Sequence, residues 1–217
     1  MVDGIQIKVC GLTALVDADL ADACGADYLG FNFHPKSPRH ISLGQFRSMA
    51  GRLSRRKRVA VAVEPDAGAL AAMRDLGFDR FQVHFRHDIA TGTIESWSAL
   101  VGAANLWLAP RLPAGVDVPA AWLPMAGAVL LDTFDPSLFG GTGRTGDWPK
   151  FRRHREAHPA VTWILSGGLD ASNVGAALAG TGARFLDVNS GVESAPGVKD
   201  QAKLRAFVAA VHGAGAR

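Results

Sequence analysis

Short runs of β-branched, aromatic and other apolar residues recur along the chain, and each is followed by an Ala- and Leu-rich stretch of helical period. The runs Ile5–Cys10, Tyr28–Phe33, Arg58–Val63, Arg80–His84, Asn105–Leu108, Ala128–Asp132, Thr162–Ser166 and Phe185–Asn189 predict strands. Helices are predicted over Ala14–Cys24, Leu43–Leu53, Ala67–Leu76, Thr93–Ala103, Trp148–His158, Ala171–Ala179 and Lys199–His212. The stretch Pro119–Met125 is the weakest helix, being short and held between prolines. Gly25, Gly77 and Gly182 each stand where a helix stops and the approach to the next strand begins.

Several strand runs are apolar almost without interruption, as in Val59-Ala60-Val61-Ala62-Val63 and Ala128-Val129-Leu130-Leu131. Parallel strands covered on both faces have this character. Eight β-α units in 217 residues predict an α/β fold, a (β/α)8 TIM barrel, as one domain over residues 1–217. An open Rossmann-like or flavodoxin-like sheet would need fewer strands or a longer chain. No Gly-x-Gly-x-x-Gly follows the first strand.

Composition is that of a globular protein, with 48% hydrophobic and 20% charged residues. No apolar run is long enough to span a bilayer. The segment Met1-Val2-Asp3-Gly4-Ile5 does not resemble a signal peptide, so a cytoplasmic protein is expected. Net charge is +3, and the basic cluster Arg55-Arg56-Lys57-Arg58 reads as a solvated turn before a strand rather than a nucleic-acid patch. A mild positive balance suits a small anionic substrate. Two cysteines, Cys10 and Cys24, make no disulfide framework and no Cys-x-x-Cys metal spacing. Neither nucleic acid, membrane nor metal is expected as a partner, and the chain reads as a monomer or weak homodimer.

In such a barrel the chemistry sits at the C-terminal ends of the strands. That position selects Cys10, the 33–40 loop, Glu64, His84, Arg111, Asp132, Ser166-Gly167-Gly168 and Asn189-Ser190-Gly191. Small residues directly after the seventh and eighth strands let backbone N–H groups approach a phosphate. The loop 140–146, which carries Gly141 and Gly143, could wrap or cover the same anion. Together these loops point to a phosphorylated substrate. Cys10 and Asp132 are titratable groups on different sides of one rim, an arrangement suited to a base and an acid. A thiolate base needs nearby positive charge, and Lys8 lies on the same side of its strand. Arg39, on a loop stiffened by Pro35 and Pro38, suits bidentate capture of a carboxylate. His84 suits either a hydrogen bond within the barrel or a contact to substrate.

The motifs Lys-Val-Cys-Gly-Leu-Thr (8–13), Gly-Phe-Asn-Phe-His-Pro-Lys-Ser-Pro-Arg (30–39), Gln-Val-His (82–84) and Leu-Leu-Asp-Thr (130–133) resemble the phosphoribosylanthranilate isomerase family. So do residues 140–148, Leu-Ser-Gly-Gly-Leu (165–169) and residues 187–200, in family order. The resemblance implies an Amadori rearrangement in tryptophan biosynthesis, turning N-(5'-phosphoribosyl)anthranilate into 1-(2-carboxyphenylamino)-1-deoxyribulose 5-phosphate. It implies Asp132 as general acid at the ring oxygen and Cys10 as general base at C2'. It implies Arg39 at the anthranilate carboxylate and the backbone around Gly167, Gly168, Ser190 and Gly191 at the phosphate. Lys8, His84, Gly141, Gly143 and Asp187 join the implied substrate-binding set. No cofactor is implied, because acid–base chemistry on an imine needs none.

The chain departs from the family's usual pattern at Phe85-Arg86-His87-Asp88, at the fifth strand and its Arg111, and at Asn32. Two other readings compete. One is the related isomerase of the histidine pathway, which uses two carboxylates and is disfavoured by Cys10. The other is a catalytically silent barrel that binds a phosphorylated metabolite or a protein.

Overall fold

The computed structural model describes residues 1–53, 57–132 and 147–215. Eight parallel strands close into a barrel in sequence order. They are β1 (Gln6–Val9), β2 (Tyr28–Asn32), β3 (Lys57–Val63), β4 (Arg80–Arg86), β5 (Leu106–Arg111), β6 (Ala128–Leu131), β7 (Trp163–Leu165) and β8 (Phe185–Val188). Helices α1 (Leu15–Ala23), α2 (Leu43–Ala50), α3 (Ala67–Asp75), α4 (Thr91–Val101), α5 (Trp148–Ala157), α6 (Val174–Thr181) and α7 (Gln201–Gly215) surround it. The barrel closes by pairing β1 with β8, with Lys8 opposite Asp187 and Val9 opposite Val188. No described helix is long and apolar enough to cross a membrane.

Strand alternation divides the side chains into two cores. One set, including Ile7, Leu29, Phe31, Val83, Leu108 and Leu186, packs outward against the helices. Here Phe46 of α2 stacks on Phe78 with ring centroids 4.2 Å apart. The other set, including Tyr28, Val59, Trp107, Ile164 and Phe185, fills the barrel axis. Tyr28, Trp107 and Phe185 form an aromatic layer with centroids 4.9–5.4 Å apart. The same alternation sends Lys8, Gln82 and Asp187 inward, with Lys8 in register with Tyr28 and Gln82 with Trp107.

Elements differ from expectation in ways that have local causes. The stretch 119–125 is a 3-10 helix over Ala120–Met125, because Pro124 cannot donate to an α-helical ladder. Helix α6 begins at Val174 rather than Ala171. The Asp170 carboxylate accepts hydrogen bonds from Ser172 and Asn173 and holds 170–173 in a turn. Strand β4 runs to Arg86 and β5 to Arg111, so His84 stands two residues inside its strand and does not end it. The partners Phe85–Pro110 and Arg86–Arg111 extend that pairing. Past β8 a 3-10 turn, Ser190–Val192, leads into a two-stranded hairpin of β9 (Glu193–Ala195) and β10 (Val198–Lys199). The pattern of apolar runs did not signal this hairpin.

Candidate active site

Cys10 follows the last residue of β1, and its N–H continues the ladder to the Val188 carbonyl at 2.9 Å. Its side chain therefore points into the barrel mouth, two residues above Lys8. Lys8 is fully buried, and its ammonium donates to the Asp187 carboxylate at 2.8 Å. The lysine is accommodated by Gly30: a Cβ there would stand 2.9 Å from the Lys8 Cε and 3.2 Å from the Cys10 Cα. Burial opposes the charge on Lys8, but Asp187 and Cys10 together hold its pKa above the ordinary lysine value. Burial pushes the Cys10 thiol up. Lys8 and Lys199 oppose that push, and Asp187 adds to it. Burial is the largest of these influences, and the thiol is held above its ordinary value.

Asp132 directly follows β6 and is half-buried. It lines the same cavity as Cys10, Gln82, His84, Asp187 and the turns after β7 and β8. That cavity is narrow, with about 40 Å3 of space, and is partly open to solvent. Strands β7 and β8 separate the two titratable groups on one side of the barrel.

Gly167 and Gly168 have φ of 97° and 60°, a left-handed pair that a side chain would strain. The Asn173 amide donates to the Gly168 carbonyl at 2.7 Å and pins the turn. Gly191 packs against this turn so closely that a Cβ would collide with the Leu169 carbonyl. The turns after β7 and β8 are thus in direct contact, and Ser166, Gly167, Gly168 and Ser190 face one cavity.

His84 shares a 2.8 Å hydrogen bond with the Gln82 amide. Burial, then Lys8, Arg111 and His34, lower its pKa to about 3, which keeps the imidazole neutral. Arg39 is engaged rather than solvent-facing: its Nε and Nη2 grip both oxygens of Glu193 at 2.7–3.1 Å. Gly141 and Gly143 lie outside the described residues. Glu193 and Lys199 were missed as site residues. Both lie in the 187–200 motif and carry opposite charge on either side of the Ala195-Pro196-Gly197 turn, but neither signal reveals where the hairpin docks.

The closed barrel, with a thiol, a carboxyl and paired glycine turns at its C-terminal mouth, defines a (β/α)8-barrel enzyme. The family described as PRAI, N-(5'phosphoribosyl)anthranilate (PRA) isomerase, matches residues 7–210, and the chain belongs to it. N-(5'-phosphoribosyl)anthranilate isomerase of Cellvibrio japonicus is 38% identical over 208 residues, which cover 94% of this chain and 92% of that protein. The crystal structure of TrpF from Jonesia denitrificans superposes with a TM-score of 0.77 at 33% identity, covering 97% of this chain and 98% of that one. A phosphoribosyl anthranilate isomerase bound to reduced 1-(o-carboxyphenylamino)-1-deoxyribulose 5-phosphate superposes with a TM-score of 0.74 at 27% identity, covering 96% and 99%.

Proposed function

We propose that this isomerase carries out the Amadori rearrangement of N-(5'-phosphoribosyl)anthranilate with Asp132 as general acid and Cys10 as general base. The observation that carries this reading is that both groups line one cavity with the turns after β7 and β8. The phosphate rests on the backbone around Gly167, Gly168, Ser190 and Gly191, where glycine lets an anion approach the N–H groups closely and Gly167 and Gly168 take left-handed φ. Arg39 meets the anthranilate carboxylate.

Asp132 gives its proton to the ribose ring oxygen, and the C1'–O bond breaks to leave a protonated Schiff base. Cys10 then removes the C2' proton. The C2'–H electron pair becomes the C1'–C2' double bond of an enolamine, which tautomerises to the ketone. A thiol raised by burial is a scarce but strong base, and the cationic Schiff base supplies the charge that draws the proton off. Lys8, held by Asp187, stabilises the thiolate from below. His84, neutral, offers a hydrogen bond to the sugar without adding charge. This chemistry needs no cofactor. The same reading has one barrel domain working in the cytoplasm as a monomer or weak homodimer.

Anthranilate-fluorescence decay on purified protein tests the assignment. Cys10→Ala and Asp132→Asn should each lower kcat by about 10²–10⁴-fold while the fold is kept. Wild-type turnover in Cys10→Ala would sink the base.

A further inference from the structure

The β9–β10 hairpin carries a chain of charges that the chemistry above does not use. Both oxygens of Glu193 are occupied. Oε1 and Oε2 accept from Arg39, and Oε1 also accepts from the Lys199 ammonium at 2.9 Å and the Gly197 N–H at 3.2 Å. Lys199 in turn donates to the Asn189 side chain at 3.0 Å, at the start of the turn after β8. The Thr13 hydroxyl anchors the hairpin through the Gly197 carbonyl at 2.6 Å. The side chains of Glu193 and Lys199 are 4% and 0% exposed, and that of Arg39 is 15%.

Three features separate this chain from an ordinary surface ion pair. Its groups are withdrawn from solvent, so their contacts are only weakly screened. It carries two cations against one carboxylate and keeps a net positive charge beside Asn189, at the start of the turn after β8. It also ties the loop after β2 to the turn after β8. Glu193 occupies the Nε–Nη2 edge of the guanidinium, so an incoming carboxylate meets the Nη1–Nη2 edge.

We propose that Glu193 is a positioning residue that fixes Arg39 at a set distance from the turn at 189–191, so that the site selects substrates by their carboxylate-to-phosphate separation. This rests on the reading of Arg39 as the carboxylate contact and of 189–191 as the phosphate turn. Without the Glu193 charge, Arg39 and Lys199 repel each other and the guanidinium leaves its place. A carboxylate-bearing ligand then binds in a looser, misplaced geometry. Proton transfer at Cys10 and Asp132 is left intact once the substrate is seated.

Glu193→Gln keeps the shape and removes the charge. KM for N-(5'-phosphoribosyl)anthranilate should rise about tenfold or more while kcat stays within roughly threefold. Affinity for reduced 1-(o-carboxyphenylamino)-1-deoxyribulose 5-phosphate should fall to match. Affinity for the analogue with an unsubstituted phenyl ring, which keeps the phosphate and lacks the carboxylate, should not change. In an Arg39→Ala background Glu193→Gln should add nothing. If Arg39→Ala leaves affinity for the carboxylate analogue unchanged, the reading of Arg39 itself fails. If Arg39→Ala weakens that analogue but Glu193→Gln weakens neither, or weakens both analogues equally, the positioning role is overturned and Glu193 is a brace. Should Glu193→Gln not fold, Glu193→Asp decides. It keeps the charge but shortens the reach, and it should show the same rise in KM without loss of kcat; an unchanged KM would overturn the role.

Discussion

The Lys8 ammonium and the Asp187 carboxylate meet at 2.8 Å inside the barrel, beneath the thiol of Cys10. The pair faces inward because both residues sit at one level of adjoining strands. Their charges pull the thiol in opposite directions. Asp187→Asn removes the charge that raises the thiol and leaves Lys8 to lower it, so thiolate should appear at lower pH than in the parent. Lys8→Met should do the reverse. It should also destabilise the protein by about 3–5 kcal/mol, because a buried carboxylate loses its partner. Thiolate absorbance against pH and thermal denaturation read the two effects.

The pH dependence of turnover follows from the burial of Cys10. A base whose pKa is raised gains its reactive form as pH rises, so kcat/KM should increase with pH through an apparent pKa above about 8.5, the ordinary thiol value. Asp187→Asn should move that limb to lower pH. A pH–rate profile identical in parent and variant would show that Cys10 is not the group titrating.

His84 should make the fold acid-sensitive. Its pKa is lowered to about 3 in the folded protein and is about 6.5 when unfolded. Between those values the unfolded chain binds the extra proton, so stability is full above about pH 6.5 and falls as pH drops toward 3. The loss has an upper bound of about 1.4 kcal/mol per pH unit. In His84→Asn the slope of urea stability against pH should be shallower over that window.

Gly191→Ala drives a methyl group into the Leu169 carbonyl and to 2.9 Å from the Asp170 Cβ. The turns after β7 and β8 must then separate. A loss of about 1–3 kcal/mol in stability is expected from such overpacking, with at least a tenfold rise in KM if both turns hold the phosphate. Gly213→Ala on α7 is the control. Its Cβ meets nothing within 4 Å, so stability should rise slightly and KM should not move.

Much of this was legible from the sequence because it depends on periods and punctuation. Short, nearly continuous apolar runs, separated by stretches of helical period, marked the number and order of the barrel strands. Strand ends then located Cys10 and Asp132, and glycines after strands marked the turns at 167–168 and 190–191. Boundaries were less legible where strand pairing decided them. Phe85 and Arg86 join β4 only because β5 runs on to pair with them through Pro110 and Arg111.

What the chain alone determined about this protein is therefore its barrel, its family and the types of group at the rim, since local pattern and motif carry these. Only the tertiary structure decided how those groups are engaged. Lys8 meets Asp187 at a sequence separation of 179, and Arg39 meets Glu193 at a separation of 154. Closing the barrel brings both pairs together, and no local period encodes it. Burial, which pushes the Cys10 thiol up and holds His84 neutral, likewise exists only once the strands have closed around them.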